Sequence, residues 1–169
     1  MQNVLFLCTG NSSRSIMAEA ILDRMGKGRF KVFSAGTLHV GQPNPWAIQL
    51  LEQLGYQICR LRSKSWNEFT RPGCPHMDHI ITVCDTAADE IYPDFPGHPT
   101  SAHWGIPDPS VEVGDDKDMQ LAFLTTYAQL ADRIGRFVAL PIESMDAQAL
   151  KLAMQEISNF SGNTRDRDD

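Results

Sequence analysis

Cys8 and Arg14 stand with five residues between them in the segment Cys8-Thr9-Gly10-Asn11-Ser12-Ser13-Arg14. Successive backbone N–H groups from Thr9 to Arg14 can curl into a concave nest, and a helix beginning at Arg14 adds its partial positive charge. A tetrahedral oxyanion fits such a cradle. Arg14 offers a planar fork for two of the anion's oxygens, which a lysine does not match in geometry. The same field stabilises a thiolate over a thiol, which makes Cys8 a nucleophile. Gly10 is expected to supply the positive φ that the curvature requires. Asn11 is expected to brace the loop through its amide, and Ser15 to donate a hydrogen bond to the Cys8 sulfur. Each of these residues is ordinary on its own. At this spacing, between a strand and a helix, they point to thiolate chemistry on a bound oxyanion.

The flanking pattern supplies those elements. Asn3 to Cys8 is a short apolar run that reads as a buried strand, and Thr9 to Ser13 is turn-prone. From Arg14 to Met25 apolar residues recur at helical spacing until Gly26 and Gly28. Phe30 to Ala35 alternates as a second strand, completing a βαβ unit. Pro45 opens a helix that runs to Leu54, with a short strand expected around Tyr56 to Cys59. His79 to Cys84 is the clearest later strand. Tyr92 to Pro109 holds five prolines and two glycines and reads as a long irregular, functional segment. Met119 to Leu140 and Asp146 to Phe160 are the last helices, and residues 163–169 a polar flexible tail. Alternating strands and helices favour one parallel sheet covered on both faces, in a single domain spanning residues 1–162.

With 169 residues, 42% of them hydrophobic, the chain can bury a core without disulfides. A net charge of −6 with no basic run argues against nucleic acid. Val4 to Leu7 is too short for a membrane span or a signal segment, which places the protein in the cytoplasm. Cys8, Cys59, Cys74 and Cys84 include no CxxC pair, and His76, His79, His98 and His103 match no zinc spacing, so no metal is expected.

The segment Val4 to Glu19, VLFLCTGNSSRSIMAE, resembles the low-molecular-weight tyrosine phosphatase superfamily, and in particular the arsenate reductases built on that fold. His103-Trp104-Gly105-Ile106-Pro107-Asp108-Pro109 is similar to the acid loop of that branch. Phe33-Ser34-Ala35-Gly36, Arg62-Ser63-Lys64-Ser65 and Val83-Cys84-Asp85 extend the resemblance. It implies a flavodoxin-like three-layer sandwich with a four-stranded parallel sheet, Cys8 as nucleophile, Arg14 as oxyanion ligand and Asp108 as general acid. A carboxylic acid above the loop has a chemical task, since an oxygen leaving a tetrahedral centre must be protonated.

Phosphate and arsenate share shape and charge, so the thiols discriminate. Hydrolysis of a cysteinyl phosphate needs Cys8 alone, whereas arsenate reduction needs a second thiol to attack the Cys8 sulfur. Cys84 is the internal candidate, because the strand ends of a parallel sheet gather at one edge. The thioredoxin-coupled branch carries another cysteine seven residues beyond, where this chain has Ile91, and Ser13 stands where many relatives have cysteine. The expected resolving agent is therefore glutathione or mycothiol with a glutaredoxin-, mycoredoxin- or thioredoxin-type reductant, with Cys84 as an alternative relay and no tightly bound cofactor. Cys59 and Cys74 are read as bystanders. Tyrosine phosphatase is the second reading, weakened because Ser110 follows Pro109 where the phosphatases carry an aromatic residue. Trp104 and Tyr92 read as core or loop anchors before pocket residues. A catalytically silent oxyanion-binding regulator is the third reading.

Overall fold

The computed structural model describes residues 1–89 and 95–159. Strands β1 (Gln2–Cys8), β2 (Phe30–Gly36), β3 (His79–Thr82) and β4 (Thr100–His103) pair in parallel in the order β2-β1-β3-β4. Helices α1 (Arg14–Met25), α2 (Pro45–Gln53), α3 (Asp85–Asp89), α4 (Asp116–Val138) and α5 (Ala147–Asn159) accompany them. This is the α/β fold with a four-stranded parallel sheet that the sequence implied. Because β2 and β3 flank β1 on opposite sides, right-handed crossovers must run over opposite faces, and a crevice opens beyond the carboxyl end of β1. Cys8 is the last residue of that strand.

The period of two along β1 sorts its side chains. Val4, Phe6 and Cys8 face the larger core, which α1, α2, α4 and α5 supply with Ile21, Leu51, Phe137 and Met154. Leu5 and Leu7, with Ile80 of β3, face a smaller cluster closed by Phe69 and Met77. Both faces are buried, which is why the strand reads as a continuous apolar run. The second layer is thin, with a 3-10 turn (Trp66–Phe69) where the first has helices.

Local signals explain the element ends. Asn44 caps α2 by accepting from the Trp46 N–H at 2.9 Å, with Pro45 at the first helical position. Asp115 and Asp118 form a reciprocal capping box that starts α4. At α1, by contrast, Ser13 makes no side-chain cap, so the amide end of the helix is left to the Cys8 loop.

Two expectations are corrected. No strand forms at Tyr56 to Cys59: Gly55 turns the chain at φ 78°, and the buried Tyr56 turns its ring to Tyr127, hydroxyl to hydroxyl at 2.7 Å, instead of joining the sheet. The stretch expected to be irregular contains β4, whose Thr-Ser-Ala-His sequence buries only Ala102 and so carries no apolar pattern. Tyr92, Ile91 and residues 160–169 lie outside the described residues.

Trp104 is a core residue. It is fully buried, packs against Phe6 and Phe137, and donates its indole N–H to the Met154 carbonyl at 2.9 Å, tying α5 to the end of β4. Trp104→Phe keeps an aromatic ring but orphans that carbonyl and leaves a void. The expected loss is about 2 kcal/mol of folding stability, read by urea denaturation.

Candidate active site

The loop after β1 is shaped from outside. The carbonyls of Cys8, Thr9, Gly10 and Ser12 accept the N–H groups of Thr37, Leu38, Val40 and Asn44, at 3.2, 3.0, 3.0 and 2.8 Å. In a planar trans peptide the carbonyl and the next N–H point in opposite directions. Four outward carbonyls therefore turn the N–H groups of Thr9, Gly10, Asn11 and Ser13 toward the inside of the loop. Together with the uncapped start of α1, this is a nest for an anion.

The turn itself rests on Asn11 and not, as expected, on Gly10. Asn11 holds the left-handed backbone, φ 46°, while Gly10 does not have a positive φ. Asparagine tolerates that conformation better than other side-chain-bearing residues, and here its amide is fully engaged. The Asn11 Nδ2 donates to Ser15 Oγ at 2.8 Å and to Ser34 Oγ at 3.0 Å, and its Oδ1 accepts the Lys64 N–H at 2.8 Å. Ser15 Oγ accepts from Asn11, and its expected donation to the Cys8 sulfur is not among the hydrogen bonds formed by the described residues. Gly36 lies against the loop so closely that a Cβ there would stand 2.5 Å from the Thr9 carbonyl oxygen.

Beneath Asn11 sits a charged pair that the sequence reading did not assign a role. Ser34 donates its hydroxyl to Glu19, and Lys64 Nζ lies 3.7 Å from the same carboxylate. Burial raises the Glu19 pKa against the pull of Lys64, and burial lowers the Lys64 pKa against the pull of Glu19. Each partner favours the other's charged form, against the burial that disfavours both. Glu19 stands one helical turn after Ser15, and a lone acidic residue on the inward side of α1 was the available signal.

Cys8 and Cys84 meet. Both are free and buried, at 4% and 2% exposure, and the two thiols are near enough to shift each other's titration in opposite directions. The Cys84 thiol is pulled down to about 5, first by its interaction with the Cys8 thiol, against burial, and then by Thr9 and the Ala87 N–H. Cys8, expected from the loop's field to be lowered, is instead pushed up by its interaction with Cys84 and by burial, which outweigh the opposing pull of Arg14. The Thr9 hydroxyl lies 3.4 Å from the Cys84 sulfur.

Arg14 reaches across to the segment after β4. It donates to the Ile106 carbonyl at 2.8 Å and approaches Asp108 Oδ2 at 3.4 Å, while Asp108 Oδ1 accepts from the Ser110 N–H and hydroxyl at 2.9 and 2.7 Å. Cys8, Arg14, Cys84 and Asp108 therefore converge on one crevice. The Ser13 hydroxyl is buried there without a hydrogen-bond partner among the described residues. Cys59 is exposed and Cys74 bonds the Phe69 carbonyl, both apart from the crevice in hydrogen bonding. Among the described residues no cluster of three or more His, Cys, Asp or Glu side chains is arranged to hold a metal ion.

Residues 3–151 match the model of the low molecular weight phosphotyrosine protein phosphatase family. The chain belongs to that family. An arsenate reductase of Bacillus licheniformis is 34% identical over 137 residues, covering 80% of this chain and 94% of that protein. The crystal structure of an arsenate reductase from Archaeoglobus fulgidus superimposes with a TM-score of 0.63 at 26% identity, covering 81% of this chain and 99% of that one. A low molecular weight phosphotyrosine phosphatase from Vibrio cholerae gives 0.58 at 28% identity, with 78% and 92% covered. Phosphatase and reductase thus share this low molecular weight phosphatase scaffold, and the residues around its loop must discriminate between them.

The opposed shifts of the two thiols give a pH signature. Thiolate ultraviolet absorbance in a protein lacking Cys59 and Cys74 should be lost on acidification near pH 5. Cys8→Ala removes the group that chiefly lowers Cys84, so the loss should move upward by about one pH unit or more.

Proposed function

We propose that this chain is an arsenate reductase that resolves its own arsenic adduct with Cys84. The observation that carries the reading is a second buried thiol, Cys84, beside the anion loop of Cys8 and 3.4 Å from its Thr9 hydroxyl, since hydrolysis of a phosphoester has no use for a second thiol there. The similarity to named arsenate reductases over most of the chain supports it.

Arsenate enters the nest of N–H groups, and the Arg14 guanidinium turns from Ile106 to two of its oxygens. Cys8 attacks arsenic, its proton passing to the neighbouring Cys84 thiolate, while Asp108 protonates the departing oxygen, which leaves as water. Arsenic is still pentavalent at this stage. Cys84 gives its proton to solvent and attacks the Cys8 sulfur. A sulfur–sulfur bond forms, the sulfur–arsenic bond breaks with its electron pair left on arsenic, and trivalent arsenite departs. Both electrons come from the thiol pair, which remains as a Cys8–Cys84 disulfide. Thr9 to Ser13 bind the anion, Asn11 fixes their shape, and Ser15 supports Asn11.

The disulfide must be reduced from outside. Both sulfurs are almost wholly buried, which favours a slender low-molecular-weight thiol such as glutathione or mycothiol, recycled by a glutaredoxin- or mycoredoxin-type protein, over direct attack by thioredoxin. No helix among the described residues is long and apolar enough to cross a membrane. We place the enzyme in the cytoplasm, where such thiols are kept reduced. Ser110 occupies the place where an aryl-gripping aromatic would follow the acid, and both its N–H and its hydroxyl are spent on Asp108. That disfavours phosphotyrosine as the substrate.

Arsenite production is measured with arsenate and each of three systems: glutathione with glutaredoxin, mycothiol with mycoredoxin, and thioredoxin. Turnover is expected with a small-thiol system, none with Cys8→Ser, and at least about a hundredfold less with Cys84→Ser. Cys84→Ser should retain any hydrolysis of an aryl phosphate. Absence of arsenite in every system, beside Cys8-dependent hydrolysis, would make the protein a phosphatase; stoichiometric anion binding with neither activity would make it a regulator.

A further inference from the structure

The segment carrying Cys84 is short and pinned at both ends. β3 ends at Thr82 and α3 begins at Asp85, leaving Val83 and Cys84 between them. On the entering side, Val83 donates its N–H to the Leu7 carbonyl at 2.9 Å and accepts from the Ile106 N–H at 3.2 Å, while the Trp104 N–H reaches the Thr82 carbonyl at 2.7 Å. On the leaving side the tie is made by a side chain. His103 Nδ1 lies 2.7 Å from the Thr82 hydroxyl and His103 Nε2 lies 2.8 Å from Asp85 Oδ1.

A carboxylate only accepts, so Nε2–H donates to Asp85. The Thr82 hydroxyl, which also lies 3.5 Å from the Ala102 carbonyl, bonds to Nδ1 at the other side of the ring. Thr82, His103 and Asp85 thus form one bridge that spans Val83 and Cys84 from β3 to α3. Its space is reserved by Gly105, where a Cβ would stand 2.5 Å from Asp85 Oδ1 and 3.0 Å from His103 Nε2. Asp85 opens the turn whose Ala87 N–H is aimed at the Cys84 sulfur. Cys8 from β1, Thr9 from the loop and Arg14 from α1 are the other groups that act on that sulfur.

We infer that His103 is a positioning residue for the resolving thiol, holding Asp85 and through it the turn that aims Cys84 at Cys8. The inference rests on the relay proposed above. It also gives the segment from His103 to Asp108 two separate tasks: its first part sets Cys84, and its last part meets Arg14.

Three variants test it. His103→Leu removes the donor to Asp85, and Gly105→Ala pushes the exposed Asp85 side chain off His103 without touching either thiol. His103→Gln restores an N–H near the position of Nε2. Single-turnover formation of the Cys8–Cys84 disulfide from arsenate, followed by mass spectrometry, should slow about fivefold or more in the first two and recover in the third. Cys8-dependent hydrolysis of an aryl phosphate should change less than about twofold. The thiolate absorbance of Cys84 in a Cys8→Ser background should move to higher pH in the first two. Unchanged disulfide formation and an unchanged Cys84 profile would overturn the inference. Equal loss of hydrolysis and disulfide formation would also overturn it, by showing a general collapse of the acid loop. Failure of the unsubstituted protein to make arsenite or the disulfide at all sinks the reductase reading instead, while the Cys84 profile still reports on His103.

Discussion

The site depends on one buried amide. Asn11 must keep a backbone conformation that costs most residues free energy, and three hydrogen bonds from its side chain hold it there. Remove the amide and the peptide planes on either side lose their reason to face outward. The nest exists because four carbonyls are occupied from behind, and Asn11 stands in the middle of them. Catalytic loops of this kind are better understood as strained turns clamped by their surroundings than as binding groups assembled for a ligand.

The clamp extends inward to Glu19 and Lys64. Burying two opposite charges is a poor way to add stability, since desolvation offsets most of their attraction. What the pair contributes is direction. Glu19 accepts from Ser34, which leaves the Ser34 oxygen facing the Asn11 amino group. The Lys64 backbone N–H selects the other end of the same amide. The amide of Asn11 therefore has one favoured orientation, and the Ser15 hydroxyl oxygen is committed to accepting from it.

The sheet, α1 and the catalytic loop were legible in the sequence because they are built from local and periodic signals. β1 is apolar throughout, α1 repeats at helical spacing, and Cys8 and Arg14 flank a turn-prone run. What was not legible depends on contacts across the chain. β4 shows no pattern because one neighbour and one short ladder suffice to make it a strand. Gly10 was the natural choice for a left-handed residue by intrinsic freedom, but Asn11 took it because Ser15, Ser34 and Lys64 supply partners from three other places. The meeting of Cys84 with Cys8 was only half visible. Strand ends in a parallel sheet share an edge, but whether two sulfurs touch depends on where β3 stops, and the chain leaves that strand at Thr82, earlier than the apolar run suggested.

Gly36 closes the account of the loop. Its missing side chain lets β2 lie against Thr9 and Asn11 at backbone distance, and any larger residue would have to displace main chain, not a movable side chain. For a lineage drifting under mutation this makes position 36 nearly immutable while the fold persists, and it channels change of substrate into the surrounding thiols and acids. The same cradle can pass between hydrolysis and reduction by altering one strand end, without the anion site ever being rebuilt.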